Sequence, residues 1–341
     1  MLPVVLRPRI SVLGPALCVC LLLSVVVAVT LGPADIGAGD VWGTILYHLG
    51  LSPGLPVGRL RDGIIWDLRL PRVLAAGAVG AGLSLCGAVI QALTRNPLAD
   101  PYLLGLSSGA ALGAVSAMLL GFALLMPVSA FAGAALALAL TMLLARSLGA
   151  LTATRAILAG LAVSALFSAL TSFLIFWTAT GDSYREILSW LLGSLGGMRW
   201  TDAAVAGVAL LLAGVPLALS GRTLDAFAFG DVAAATLGVD VGRARWVLLS
   251  LTALLTGVLV SISGSIGFVG LVLPHAVRLL VRGNHRQLLP LSALSGAVFL
   301  IWTDTAARTL FEPRELPVGI VTAMVGAPVF FLVLLRNRAA T

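Results

Sequence analysis

The chain has 341 residues, of which 60% are hydrophobic and 10% are charged, against roughly 25% charged in a soluble domain. That balance excludes both a water-soluble globule and a disordered chain, and leaves a protein that crosses a membrane many times. The formal net charge is +7, and every basic residue is Arg, so a Walker A loop and Schiff-base chemistry on a lysine are also excluded.

The first apolar run, at about 10–31, follows Arg7 and Arg9. It exceeds the roughly 7–15 residues of a signal-peptide core, so it reads as a retained span with its N-terminus in the cytoplasm. A charged outer segment comes next, carrying Trp42, Arg59, Arg61, Trp66 and Arg69. Further spans are expected at about 73–93, 103–125, 127–144, 157–179, 203–219, 247–262, 266–280, 288–303 and 318–335, which makes ten with the first. The eighth and ninth are short for full crossings, which predicts broken or tilted segments. Between the second and third, Asn96-Pro97-Leu98-Ala99-Asp100-Pro101 is a tight corner, because each Pro disfavours helix before it and Asn and Asp cap helices. Between the sixth and seventh, a long cytoplasmic segment over 221–245 is punctuated by Gly221, Gly230, Gly238 and Gly242. This topology places most of the Arg residues inside, as the positive-inside rule requires, and most of the acids outside, which that rule does not weigh.

Chemistry-bearing patterns are sparse. Gly105-Leu106-Ser107-Ser108-Gly109 matches a nucleophile elbow, but an elbow needs a strand before it. Extended to Gly113, it becomes a stripe of small residues suited to close helix packing. Ser164, Ser168, Thr171 and Ser172 fall at helical spacing in the fifth span. They either bond helix to helix or line a watery path. No acid lies mid-span, and Asp304 sits at the outer end of the ninth run, which argues against proton coupling. Cys18, Cys20 and Cys86 read as packing residues, and His275 as structural rather than metal-binding. Two echoes half a chain apart, Cys86-Gly87 with Ser263-Gly264 and Ser108-Gly109 with Ser295-Gly296, suggest two weakly repeated halves.

Four segments in this order resemble the permease subunits of ABC importers for iron chelates, haem and cobalamin, the FecCD type. They are RLPRVLAAGAVGAGLSLCGAVIQALTRNPLADPYLLGLSSGAALG (69–113), GDVAAATLGV (230–239), GSIGFVGLVLPHAVRLL (264–280) and ELPVGIVTAMVGAPVFFLVLL (315–335). The resemblance implies an all-α polytopic membrane protein of about ten helices, forming one permease domain over 1–341 with both termini cytoplasmic. It implies a homodimer in the bacterial inner membrane, two separate ATPase subunits that hold ATP and Mg, and a periplasmic binding protein. The chain itself would be no enzyme and would hold no cofactor or metal. Coupling to the ATPases is expected at Gly230, Asp231, Ala234 and Gly238. Binding-protein docking is expected at Arg69, Arg72 and Arg308. A cytoplasmic gate is expected in 151–155, with Thr152 and Thr154 narrowing the path. The cargo is expected to be haem, with a siderophore or cobalamin as the alternative. An ATP-independent carrier and an intramembrane serine hydrolase using Ser107 or Ser108 are the readings from other classes.

Overall fold

The structure, a computed structural model, describes residues 10–52, 54, 57–149, 152–281, 284–311 and 314–338. Among these residues it is helical, and seven helices are long and apolar enough to cross a membrane while three shorter apolar ones bring the set to the expected spans. In chain order, α1 is Ile10–Thr30 and α2 is Ala38–His48. The short α3, Arg59–Gly63, runs through a π-helical stretch, Ile64–Arg69, into α4, Leu70–Thr94. Next come α5 (Leu106–Leu119), α6 (Met126–Ser147), α7 (Ala153–Thr178) and α8 (Gly181–Leu191). α9 (Trp200–Ala209) passes through a second π stretch, Leu210–Gly214, into α10 (Val215–Leu219). The short α11 (Gly221–Ala228) and α12 (Asp231–Thr236) precede α13 (Val241–Ser263). α14 (Val269–Leu280), α15 (His285–Thr309) and α16 (Val318–Arg338) complete the chain.

Both π stretches have one cause. Pro71 and Pro216 lack the N–H that would bond the carbonyls of Asp67 and Leu212, four residues earlier. Each of those carbonyls lies inside a widened stretch that ends just before the Pro, so the helix passes the ring by loosening rather than by breaking.

α4 is the centre of the fold. Every residue from Val79 to Leu93 is buried, and α15, α13, α14 and α9 pack around it. Small residues allow this closeness. A Cβ on Gly80 would lie 2.2 Å from the Gly296 carbonyl oxygen, and one on Gly87 would lie 1.8 Å from that of Gly270. The small-residue stripe does the same on the other flank, with Gly109 against Gly133 and Gly113 against Ser129 of α6. Of the residues in the two sequence echoes, Gly109 and Gly296 both sit at helix crossings. Gly87 also lies in a helix, whereas Gly264 lies in the turn that ends α13.

The eighth span is broken, as its length predicted. After α13 the chain runs without helix through 264–267, and α14 starts only at Val269. Tyr102 pins this stretch: its hydroxyl donates to the Ile266 carbonyl at 3.0 Å and accepts from the Ile266 N–H at 3.1 Å. Gln91 donates to the carbonyls of Gly270 and Leu271 at 3.3 and 3.1 Å. The ninth span is instead a full 25-residue helix, α15. Polar residues at its outer end, Thr303 to Arg308, hid that length because they are buried against other parts of the chain rather than exposed.

Candidate functional site

The residues expected to carry function fall into three groups. The first lies at the end assigned to the outside. Arg69 donates through Nη1 to the carbonyls of Val29 (2.8 Å) and Thr30 (3.0 Å), and through Nη2 to that of Ala34 (3.0 Å). Arg308 reaches from α15 to the Ala28 carbonyl. The last turn of α1 has carbonyls with no helical partner, and two guanidiniums satisfy them. Gly32 lies beside this contact with φ +141°, and a Cβ there would sit 2.7 Å from Arg69 Nη2. Both Arg residues are 6% exposed. The docking role expected for Arg69 and Arg308 therefore meets side chains that already serve α1, and an outside acid would have to break those bonds to reach them.

Arg72 is placed differently. Its Nε and Nη2 form a two-pronged pair with Asp304, at 2.9 Å to Oδ2 and 2.9 Å to Oδ1, while Nη1 meets Glu315 Oε2 at 2.8 Å. Asp304 is 1% exposed, so burial makes that pair costly to break from one side. Arg72 and Glu315 line a cleft of about 670 Å³ together with Asp67 and with Arg199 and Trp200 at the start of α9. Beside it, His48 bonds Asp62 at 3.0 Å and stacks on Trp66, which in turn meets Trp200. Nothing in the sequence pointed to His48 beyond a loop position.

The second group lies at the end assigned to the cytoplasm. Gly230, at φ +98°, turns the chain from α11 into α12, and Gly238, at φ +84°, turns it out again. Asp231 pairs with Arg245 at 2.8 Å, and Arg245 lies over the Phe227 ring. Ala234 is wholly buried within its own chain. It therefore offers no outward contact, contrary to expectation: the large apolar side chains that α12 and its flanks turn outward are Phe229, Val232 and Leu237, at 77%, 81% and 67% exposed. Exposed apolar side chains of this kind, set among polar ones, mark surfaces that meet a partner. The spacing of the glycines revealed the element, but not which of its faces is turned outward.

The third group lies on and before α7. Thr152 is the N-cap of α7, its hydroxyl accepting from the Arg155 N–H at 3.2 Å, while Thr154 is exposed. Leu151 of the expected gate lies outside the described residues. The hydroxyl stripe divides. Thr171 is buried and bonds back to the Phe167 carbonyl at 2.8 Å. Ser164 is half-buried against the turn at Gly105, and Ser168 and Ser172 are exposed. Ser107 pairs with Ser265, and Ser108 with the Gly105 carbonyl. Neither is hydrogen-bonded to a His or a carboxylate, which removes the geometry a serine hydrolase needs.

The corner before α5 holds one perturbed acid. Asp100 caps the turn by accepting from the Tyr102 N–H at 2.8 Å. Burial pushes its carboxyl up to about 6, and the Tyr102 N–H only partly offsets this. Among the described residues no group of three or more His, Cys, Asp or Glu could hold a metal ion.

The profile of the FecCD transport family matches residues 20–336. The chain is 44% identical over 298 residues to the cobalamin import system permease protein BtuC of Halobacterium salinarum, covering 86% of this chain and 79% of that one. It is 40% identical over 326 residues to the ABC transporter permease protein YvrB of Bacillus subtilis, covering 93% and 92%. It is 41% identical over 298 residues to the vitamin B12 import system permease protein BtuC of Vibrio cholerae, covering 86% and 89%. Among solved structures, a metal-chelate type ABC transporter in an inward-facing conformation superposes with a TM-score of 0.84 at 34% identity, covering 95% of this chain and 98% of that one.

Proposed function

The chain belongs to the FecCD transport family as a multi-pass permease subunit of an ABC importer, and from that premise we propose that its cargo is a corrinoid of the cobalamin class. The observation that carries this reading is similarity along nearly the whole chain to permeases named for cobalamin or vitamin B12. The haem preference draws no support from these relatives, and the cobalamin alternative does.

On this reading the chain works as a homodimer in the inner membrane, with both termini cytoplasmic. A periplasmic binding protein delivers the corrinoid to the outer face, and two ATPase subunits sit under α11 and α12. The exposed Phe229, Val232 and Leu237 support that seat, because apolar side chains in water gain by being covered. ATP and Mg belong to the ATPases, and the permease makes and breaks no bond. It offers each side a surface and changes shape between them. Arg72, with its cleft, is the part of the expected docking set that remains within reach of a partner. The exposed Ser168 and Ser172 support a place for the outward face of α7 on the path.

The test is uptake into proteoliposomes that hold the permease, its ATPase and its binding protein, offered cyanocobalamin, haem and a ferric siderophore in parallel. ATP-dependent uptake of cyanocobalamin alone is expected. Uptake of haem without cyanocobalamin would overturn the cargo, and equal uptake without ATPase subunits would overturn the class.

A further inference from the structure

Arg72 holds two acids, and the two are not equivalent. Asp304 takes the Nε and Nη2 edge and is buried, so it is fixed. Glu315 takes a single bond to Nη1, at 2.8 Å, and its side chain is 53% exposed at the mouth of the outer cleft. An exposed single-bonded pair is weak and easily exchanged. The cleft beside it is large enough for an incoming side chain, and Arg199 lines it as well as Arg72. Four guanidiniums (Arg69, Arg72, Arg199 and Arg308) stand against Asp67, Asp304 and Glu315 in and beside this cleft, which leaves one positive charge in excess while Glu315 is in place.

We propose that Glu315 is a built-in stand-in for a partner's carboxylate: it occupies Arg72 while the outer face is empty and gives way when an acidic side chain of the soluble binding protein enters the cleft between Arg72 and Arg199. This rests on the importer reading above and adds the seat and the competitor to it. Glu315 also lies just before α16, whose start is tied down by the Leu316 N–H to the Ala307 carbonyl and the Gly319 N–H to the Gly193 carbonyl. Displacing Glu315 therefore releases one of the few ties at the outer end of that span. Asp67, which also lines the cleft, disfavours an acid beside it and so favours a seat at the two Arg residues.

The experiment measures the affinity of the cobalamin-loaded binding protein for the permease–ATPase complex in nanodiscs. Glu315→Gln should tighten docking roughly fivefold at low salt, the scale of an exposed ion pair, and the gain should vanish at about 1 M salt. Glu186→Gln removes an equal charge from the exposed surface of α8 and should change nothing. Arg199→Glu should weaken docking at least tenfold. Unchanged or weaker docking in Glu315→Gln, or an equal gain in Glu186→Gln, overturns the proposal while leaving the importer reading intact. Failure of the wild-type complex to bind the protein at all overturns both.

Discussion

Val232→Asp and Ala234→Asp sit two residues apart on α12, and they should fail in different ways. Val232 is 81% exposed, so a carboxylate there stays in water and the fold is unaffected. If an ATPase subunit covers the site, the exchange forfeits the burial of a Val side chain, about 1.5–3 kcal/mol, and adds the cost of drying a charge. A loss of about 2 kcal/mol is roughly 30-fold in affinity. Ala234 is fully buried, so its carboxylate would be enclosed without a partner, at about 3 kcal/mol or more. The assay pairs thermal unfolding of the purified permease with ATPase binding and ATP-driven uptake. Expected is wild-type stability with weak binding and uncoupled uptake for Val232→Asp, and lowered stability for Ala234→Asp. Wild-type ATPase affinity in Val232→Asp would refute the assigned face.

Cysteines placed in a Cys-free chain should react with a water-soluble thiol reagent at Thr154, Ser168 and Ser172 and stay protected at Thr171; protection at all four would mean that the exposed face of α7 is covered by lipid or by a second copy. Asp304→Asn should cost about 3–5 kcal/mol, because it leaves the half-buried Arg72 guanidinium without its fixed partner, and unchanged unfolding would refute the distinction between the two acids of Arg72. Asp100, held near 6, has a folded pKa above the ordinary carboxylate value, so its contribution is full below about pH 4 and is lost as pH rises through 6. Asp100→Asn keeps the cap and should flatten stability between pH 4 and 6, with a gain of about 1–3 kcal/mol at pH 7; an unchanged pH profile would refute it.

Hydropathy made the ten apolar segments legible, since hydrocarbon demands length and apolarity from every span. It registered the eighth span as short, but it could not show what holds the non-helical 264–267, where the Tyr102 hydroxyl grips Ile266 from 164 positions away. It could not place Arg69, Arg72 and Arg308 either. Their charge marks them as special, but whether they face a partner or cap α1 is set by carbonyls and acids distant in the chain. Glu315 heads one of the family-like segments, and in sequence an exposed acid before a span is ordinary. Its meaning lies in the atom it touches.

The mutual fit of Gly80 and Gly296, with each backbone filling the place of the other's missing side chain, has a mechanical consequence once the Arg72–Asp304 pair above it is counted. α4 and α15 are joined at the middle by steric interlock and at the outer end by charge, so neither can slide or roll on the other without a clash or a bare ion. They form a keel. Whatever reshaping the protein undergoes is left to elements lightly tethered to that keel, chiefly α16 and the outward face of α7.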